Sequence, residues 1–317
     1  SGVDGSIGQI PQNHFYGLEI LRNNGTEQQK HKLYAEVLKG ARFGNALAEF
    51  KTKTAAQRQT AIRKTEQGYV INGEKFYCTG SLFAHRIPTL VVDENEQQFL
   101  AFVPRDSAGL MLIDDWSGFG QRTTGSGTVK FDNVPVLEED VVRFDTAYSR
   151  PTISGPFAQL LHASIETGIA RAAFEETLNR VRQARPWIDS GVDQATDDPL
   201  TKLELGRMVA DVRASEVLLK QAARSVDAAK ANPTETSIAK ASLDVAKARA
   251  HSTETALKAS SKLIELAGSR GSQREDGLDR FWRNARVHTL HDASRWKYYF
   301  IANYLLNGVL PPRRGTL

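Results

Sequence analysis

The spacing of apolar residues divides the chain into a short helical start, a strand-rich middle and a long helical remainder. Over residues 15–38 the apolar positions recur at helical intervals, and Thr26 with Gln29 has the spacing of a capping box. From residue 44 to about residue 146 the apolar runs are short and typical of strands. Because no helix-length periodic run separates them, the pattern predicts an antiparallel β domain.

Two local signals refine the expected sheet. Residues 46–49 predict a short strand. The runs 69–71 and 74–77 flank Asn72-Gly73, and this dipeptide predicts a hairpin because both positions of its tight turn need positive φ. Further strands are expected at residues 89–92, 99–103, 111–113 and 128–136.

After Pro151 the pattern is helical to the end of the sequence. Asp198 followed by Pro199 predicts an N-cap with proline at the first helical position. The last two helices are expected at residues 278–285 and from about residue 292 to 306. Four or five helices with short connections predict a helical bundle.

The densest candidate chemistry lies in residues 283–298. If this stretch is helical, His288, His291 and Asp292 lie within one turn and share a face. An imidazole beside a carboxylate can act as an acid–base group near neutral pH. The alternative is an amphipathic helix whose polar face carries two histidines. No third ligand accompanies the histidine pair, so a metal site is not expected.

Composition narrows the class of protein. The 317 residues include 40% hydrophobic and 25% charged residues, as in a globular protein with a large core. The net charge of +4 is spread along the chain, so nucleic-acid binding is not expected. No run approaches 18 apolar residues, so a membrane span is not expected either. A single cysteine, Cys78, fits a reducing compartment, so we expect a cytoplasmic protein. No Gly-x-Gly-x-x-Gly fingerprint follows a strand, so direct NAD(P)H binding is not expected.

Several segments resemble the acyl-CoA dehydrogenase superfamily. They are residues 44–49 (GNALAE), 68–75 (GYVINGEK), 76–80 (FYCTG), 129–136 (VKFDNVPV) and 283–286 (RNAR). The resemblance implies an α+β fold with N-terminal helices over residues 1–43, an antiparallel β domain over 44–148 and a four-helix bundle over 149–317. The N-terminal domain of that superfamily is longer, so this chain resembles a version that lacks several of the first helices.

Departures from the dehydrogenases point to one branch. Where many dehydrogenases have Tyr-Glu-Gly-Thr, with the Glu as catalytic base, this chain has residues 291–294, His-Asp-Ala-Ser. Residues 288–292 (HTLHD) and 295–298 (RWKY) are instead similar to the flavin-dependent monooxygenase branch. That branch includes dibenzothiophene monooxygenases and sulfur-acquisition oxidoreductases. Residues 116–124 and 185–187 are also similar to this branch.

The resemblance implies a two-component monooxygenase. Reduced FMN, supplied by a separate NAD(P)H:flavin reductase, would react with O₂ to a C4a-(hydro)peroxyflavin that oxygenates a small organosulfur substrate. FAD is the alternative cofactor. One rival is an FAD-dependent acyl-CoA dehydrogenase with Asp292 as base, and another is a non-catalytic oligomeric paralogue. We also expect a homotetramer or homodimer.

The resemblance also implies roles for individual residues. His291, oriented by Asp292, would manage the proton of the flavin peroxide, and His14 would line the substrate pocket unless it is a capping or surface histidine. The expected cofactor-binding residues are Phe76, Thr79, Trp116, Arg122, Thr124, Ser126 and Arg185. Thr79 would bond to the flavin ring, although a strand-end threonine is the alternative. Arg185 would reach the flavin phosphate across a subunit interface.

Overall fold

The computed structural model describes residues 1–50 and 59–317, which form two compact units. The sheet unit comprises Gln9–Ser117 and Arg122–Ser154, and the bundle unit comprises Ser1–Gly8, Gly118–Gln121 and Gly155–Leu317. The boundaries expected at residues 43/44 and 148/149 stay predictions.

The first helices are α1 (Gly5–Gln9), α2 (Gln12–Asn24) and α3 (Glu27–Leu38). Thr26 caps α3 as its spacing with Gln29 predicts. The Thr26 hydroxyl accepts from the Gln29 N–H at 3.2 Å, and the Gln29 side chain accepts from the Thr26 N–H at 2.9 Å. This reciprocal pair satisfies two N–H groups that the first turn would otherwise leave without partners.

Within the described residues, seven strands form one sheet in the order β5-β6-β2-β1-β3-β4-β7. They are β1 (Ala61–Thr65), β2 (Gly68–Lys75), β3 (Arg86–Val92), β4 (Gln98–Pro104), β5 (Leu110–Ile113), β6 (Thr128–Val136) and β7 (Val141–Arg143). All neighbouring strands are antiparallel except β1 and β3, which meet in parallel at Ala61 and Val92. The sheet core includes Ile62, Ile71, Ile87, Val91, Val103, Val129 and Val134.

The hairpin predicted at Asn72-Gly73 is wrong. These residues lie inside β2, and the turn between β1 and β2 lies after Thr65, which pairs with Gly68. Gly73 marks a bulge against β6, with φ of +146°, and a Cβ there would lie 2.7 Å from Thr60 atoms. Glycine is therefore required at position 73 because Thr60 lies too close for a side chain. A glycine inside a strand commonly marks such a bulge or close backbone contact.

The strand predicted at residues 46–49 is reduced to isolated bridges. Ala46 pairs with Thr89, and Ala48 pairs with Phe76. The carbonyl of Ala46 accepts from Leu90 N–H, and that of Ala48 accepts from Phe76 N–H, each at 3.0 Å. The segment therefore contacts two different parts of the sheet unit and does not run along one strand.

The remaining helices are α4 (Thr146–Ser149), α5 (Ser154–Gln183), α6 (Pro199–Ala231), α7 (Glu235–Leu266), α8 (Asp279–His288) and α9 (Arg295–Asn307). Asp198 caps α6 as predicted, because its carboxylate accepts from the N–H groups of Leu200 and Thr201. The bundle core includes Ile165, Ile169, Met208, Val212, Leu263, Leu278 and Phe281. No helix among residues 1–50 and 59–317 is long and apolar enough to cross a membrane.

Residues 283–298 do not form one helix. The helix α8 ends at His288, and its last turn tightens, because His291 N–H donates to the His288 carbonyl three residues back at 3.1 Å. The last helix begins at Arg295 rather than at Asp292. His291 and Asp292 therefore lie in the connection between α8 and α9.

Candidate functional site

Three buried hydroxyls meet in the sheet unit. Ser126 Oγ lies 2.7 Å from Thr79 Oγ1 and 2.6 Å from Thr124 Oγ1. The two loops that carry these residues are joined by backbone hydrogen bonds, from Gly80 N–H to the Thr124 carbonyl at 2.9 Å and from Cys78 N–H to the Gly127 carbonyl at 3.0 Å. The structure therefore brings together three of the residues predicted to bind the cofactor. The Thr79 hydroxyl already forms one hydrogen bond, with Ser126.

Next to these loops an aromatic cluster lines the sheet unit. The Phe50 ring lies 4.2 Å from the Phe76 ring and 4.9 Å from that of Tyr77, and Tyr77 lies 6.0 Å edge-on from Trp116. Tyr77 has φ of +54° and is half-exposed. A non-glycine residue with positive φ is uncommon and marks a position held by its surroundings. The cluster offers a partly exposed apolar surface to a flat ring.

Asn45 is a site residue that the sequence reasoning missed. Its side-chain N–H donates to the Tyr77 carbonyl at 3.2 Å, and its backbone N–H donates to Ser81 Oγ at 3.0 Å. The buried Oδ1 atom of Asn45 has no hydrogen-bond partner in the part of the chain that is described. A buried acceptor without a partner is costly unless something outside the chain satisfies it. The signal available in the sequence was the position of Asn45 within the GNALAE motif.

The other predicted residues of the sheet unit occupy different surroundings. Arg122 is exposed at the start of the turn Arg122–Thr124. His14 Nδ1 accepts from Phe43 N–H at 3.1 Å, so a neutral His14 carries its proton on Nε2. Burial, with a smaller effect of the Arg42 charge, lowers the pKa of His14. In the bundle unit, Arg185 is exposed in the connection after α5.

The bundle unit holds a buried carboxylate that no sequence pattern singled out. Glu166 on α5 pairs with Arg249 on α7, and both side chains are buried. Ser252 and Thr253 donate their hydroxyls to Glu166 Oε2, each at 2.9 Å. Burial acts to raise the pKa of Glu166, but the Arg249 charge and the hydrogen bond from His288 outweigh it and lower this pKa to about 2. Glu166 is therefore ionised at neutral pH.

Three histidines continue from Glu166 toward the surface. His288 Nδ1 lies 3.1 Å from Glu166 Oε1, and His288 Nε2 lies 3.2 Å from His162 Nδ1. The His162 ring packs on the His291 ring with centroids 4.0 Å apart. Burial lowers the pKa of both His162 and His288. The two inner histidines are therefore neutral near pH 7, while the His291 side chain is 48% exposed.

Asp292 faces His291 from the other side. Its Oδ2 atom lies 3.5 Å from His291 Nδ1, accepts from Gln159 Nε2 at 2.9 Å and lies 3.9 Å from Lys297 Nζ. Burial opposes ionisation, but the bond to His291 and the Lys297 charge hold the pKa of Asp292 well below its usual range. Burial lowers the pKa of Lys297 to about 8. The structure thus places the predicted pair together, with Asp292 as a fixed anion.

Comparison with known proteins gives consistent relatives. The family described as "Acyl-CoA dehydrogenase, C-terminal domain" matches residues 160–296. The chain is 31% identical to dibenzothiophene monooxygenase of Rhodococcus qingshengii over 331 residues, covering 98% of this chain and 79% of the relative. It is 27% identical to "Probable FMNH2-dependent monooxygenase SfnC" of Pseudomonas putida, with the same coverage.

A solved structure agrees. The FMN-bound structure of TdsC from Paenibacillus sp. A11-2 has a TM-score of 0.95 and 29% identity, covering all of this chain and 83% of that one. This protein belongs to the flavin-dependent monooxygenase branch of the acyl-CoA dehydrogenase superfamily. The predicted family and its α+β fold are confirmed. The roles of the individual site residues stay predictions.

Several residues in the side-chain clusters of the two units were not identified from the sequence. They are Asn45, Phe50, His162, Glu166 and Arg249. His162 and Glu166 stand four residues apart on one helix, which places them on one face, so their spacing was a usable signal. Arg249 lies in the alanine-rich helix α7. An arginine is almost never fully buried unless it is paired, so an arginine among small residues there indicated a buried partner.

Proposed function

We propose that this chain is the oxygenase component of a two-component system that oxygenates an organosulfur compound with O₂ and reduced FMN. A separate NAD(P)H:flavin reductase would supply the reduced flavin. The relatives support this proposal, because one carries FMNH2 dependence in its name and another has been solved with FMN. Dibenzothiophene monooxygenase supports an organosulfur substrate.

The observation that carries the proposal is the pairing of half-exposed His291 with buried Asp292. An acyl-CoA dehydrogenase of this fold would need Asp292 as a base. A carboxylate whose pKa lies far below neutral binds a proton weakly and is a poor base. Asp292 is suited instead to holding an imidazole in place.

The residues of the sheet unit fit reduced FMN in their chemistry. The partly exposed rings of Phe76, Tyr77 and Trp116 would pack against a planar ring system, and the hydroxyls of Thr79 and Ser126 with the Asn45 amide would bond to its polar edge. Reduced FMN, when bound, would supply two electrons for the reduction of O₂, and the oxygenated substrate would supply the other two. FAD would present the same ring, so these contacts do not favour one flavin over the other.

His291 is the residue we assign to proton handling. Its Nδ1 faces Asp292 Oδ2, which leaves Nε2 to donate a hydrogen bond or a proton to a reacting oxygen. Asp292 sets the direction of the His291 ring. The same division of roles between an imidazole and an orienting carboxylate occurs in other acid–base sites.

We also propose a homotetramer or homodimer in which Arg185 binds the FMN phosphate of a neighbouring copy. The support is the exposure of Arg185 and of the apolar residues beside it, Trp187 and Ile188, which are 70% and 87% exposed. Exposed apolar patches on soluble chains commonly mark interfaces. A sedimentation coefficient that corresponds to a monomer at micromolar concentration contradicts this arrangement.

Anaerobic titration of the purified protein with reduced FMN and with reduced FAD tests the cofactor proposal. We expect reduced FMN to bind more tightly than reduced FAD. If neither flavin binds, the chain is a non-catalytic paralogue. If a bound FAD is instead reduced on addition of an acyl-CoA, the dehydrogenase is the correct assignment.

A further inference from the structure

The ion pair of Glu166 and Arg249 lies in the bundle core and has no part in the mechanism described above. Their side chains are 0% and 1% exposed. A buried ion pair is weak support for stability, since apolar residues of similar volume stabilise as well or better. The arrangement around Glu166 therefore suggests a use beyond holding the fold together.

The hydrogen-bond directions in this cluster follow from the ionised carboxylate. Glu166 can only accept, so His288 donates from Nδ1. A neutral His288 then has its lone pair on Nε2, which accepts from His162 Nδ1. A neutral His162 therefore carries its proton on Nδ1 and its lone pair on Nε2. One carboxylate thus fixes the tautomers of two histidines in sequence.

The last of these rings contacts His291. The rings of His162 and His291 are inclined by 41° with centroids 4.0 Å apart, so a positive charge on His162 would oppose one on His291. The other charged groups near these rings are Arg249 on α7, Lys297 on α9 and Asp292 in the α8–α9 connection. Their formal charges, with Glu166, cancel when the histidines are neutral, so an added proton is best placed on half-exposed His291 beside Asp292.

We propose that Glu166, His288 and His162 are positioning residues that hold a neutral, oriented imidazole against His291 and so reserve the working proton for His291. This inference rests on the proposed function of His291 for its effect on the reaction. The order of tautomers, by contrast, is a property of the chain alone. None of the three residues needs to touch flavin or substrate.

The test uses the flavin-free full chain labelled with ¹⁵N-histidine. Solid-state NMR distinguishes a proton on Nδ1 from one on Nε2, and the seven histidines can be assigned by single substitutions. In the unmodified protein we expect both His288 and His162 to carry the proton on Nδ1. A His162 proton on Nε2 overturns the proposal.

Two substitutions at one position separate positioning from folding. His288→Phe removes both nitrogens, while Glu166 keeps Arg249, Ser252 and Thr253. We expect His162 to lose its single tautomer and the ¹⁵N signals of the His291 ring, which packs on His162, to change as well. His288→Gln restores an amide acceptor for His162 and should return both signals to nearly those of the unmodified protein.

The effect on the reaction is measured separately, as oxygenated product formed per reduced FMN oxidised. We expect His288→Phe to lower this ratio by about tenfold, the scale of a slightly misplaced catalytic group, and His288→Gln to recover most of it. If the unmodified protein oxygenates nothing, the proposed function fails, and the NMR signals still decide the positioning claim. A His162 that keeps its proton on Nδ1 alone in His288→Phe overturns that claim.

Discussion

The imidazole rings of His162 and His291 pack with their centroids 4.0 Å apart, one ring buried in the bundle core and the other half-exposed. His291 is thus held by a neutral ring on one side and by Asp292 on another. This contact joins the buried network to the half-exposed histidine of the group.

We predict that His291→Phe will bind reduced FMN normally and yield hydrogen peroxide in place of oxygenated product. The substitution keeps an aromatic ring against His162 and removes the nitrogens that handle the proton. Because the interaction forms only after O₂ has reacted, its loss affects that step and leaves the resting complex unchanged. Peroxide and product are measured together in single-turnover mixing with O₂.

Two further variants frame this experiment. Asp292→Asn should show a milder form of the same defect, since it disturbs the orientation and charge of His291 only. His251→Phe is the matched control, because His251 is a partly buried histidine on α7 whose Nε2 lies 3.3 Å from the Asp211 carbonyl. Normal product yield in His291→Phe would end the proposed role, and a dehydrogenase would instead require Asp292 alone.

We predict that Thr79→Val will weaken reduced-FMN binding by on the order of 1 kcal/mol, or about fivefold in Kd. Valine keeps the shape of the side chain and removes the hydroxyl, which lies 2.7 Å from Ser126 Oγ and which we propose also bonds to the flavin ring. Thr89→Val is the control, because Thr89 is a buried threonine of β3 whose hydroxyl donates to the Ile87 carbonyl. Equal Kd values for Thr79→Val and the unmodified protein would make Thr79 a structural residue only.

We predict that the protein loses stability as pH falls below about 4.5, the ordinary pKa of a glutamate. The folded-state pKa of Glu166 is lowered to about 2, so its contribution is complete above 4.5 and is lost as pH falls toward 2. The loss should be on the order of 3 kcal/mol. Asp292, whose pKa is also lowered, adds to the loss in acid.

Urea unfolding of the flavin-free protein at several pH values measures this dependence. Glu166→Gln should destabilise the protein by about 3–5 kcal/mol at pH 7, because it leaves Arg249 buried without its partner. It should also flatten the pH dependence between 4.5 and 2. The same slope in the variant and the unmodified protein would show that Glu166 is not the titrating group.

The sequence predicted correctly those features that depend only on residues close together in the chain. The capping box of Thr26 and Gln29 and the Asp198 cap involve residues two or three apart, and both occur. Asn72-Gly73 failed because the same glycine serves a turn or a bulge, and the choice depends on Thr60 and the neighbouring strand β6. That information is absent from the dipeptide.

In the candidate site, too, local relationships could be predicted from the sequence and long-range ones could not. His291 and Asp292 are adjacent in sequence and could be predicted as a pair. The cluster around Glu166 draws side chains from α5, α7 and α8, so it exists only once three helices have packed. Periodicity reports which face of a helix is buried and not which polar residues meet there. The sequence therefore could not predict the whole buried network. Only the four-residue spacing of His162 and Glu166 on α5 was visible in advance.

Reaction under ¹⁸O₂ shows whether the protein transfers oxygen from O₂ to an organosulfur compound. The protein, loaded with reduced FMN from a flavin reductase, is mixed with ¹⁸O₂ and dibenzothiophene or a panel of smaller organosulfur compounds. Mass spectrometry of the products follows the label. We predict a product that carries one ¹⁸O atom from O₂ for at least one of these compounds. Oxidation of all the reduced FMN with formation of hydrogen peroxide, and with no labelled product from any of these compounds, would show that the chain is not an oxygenase for them.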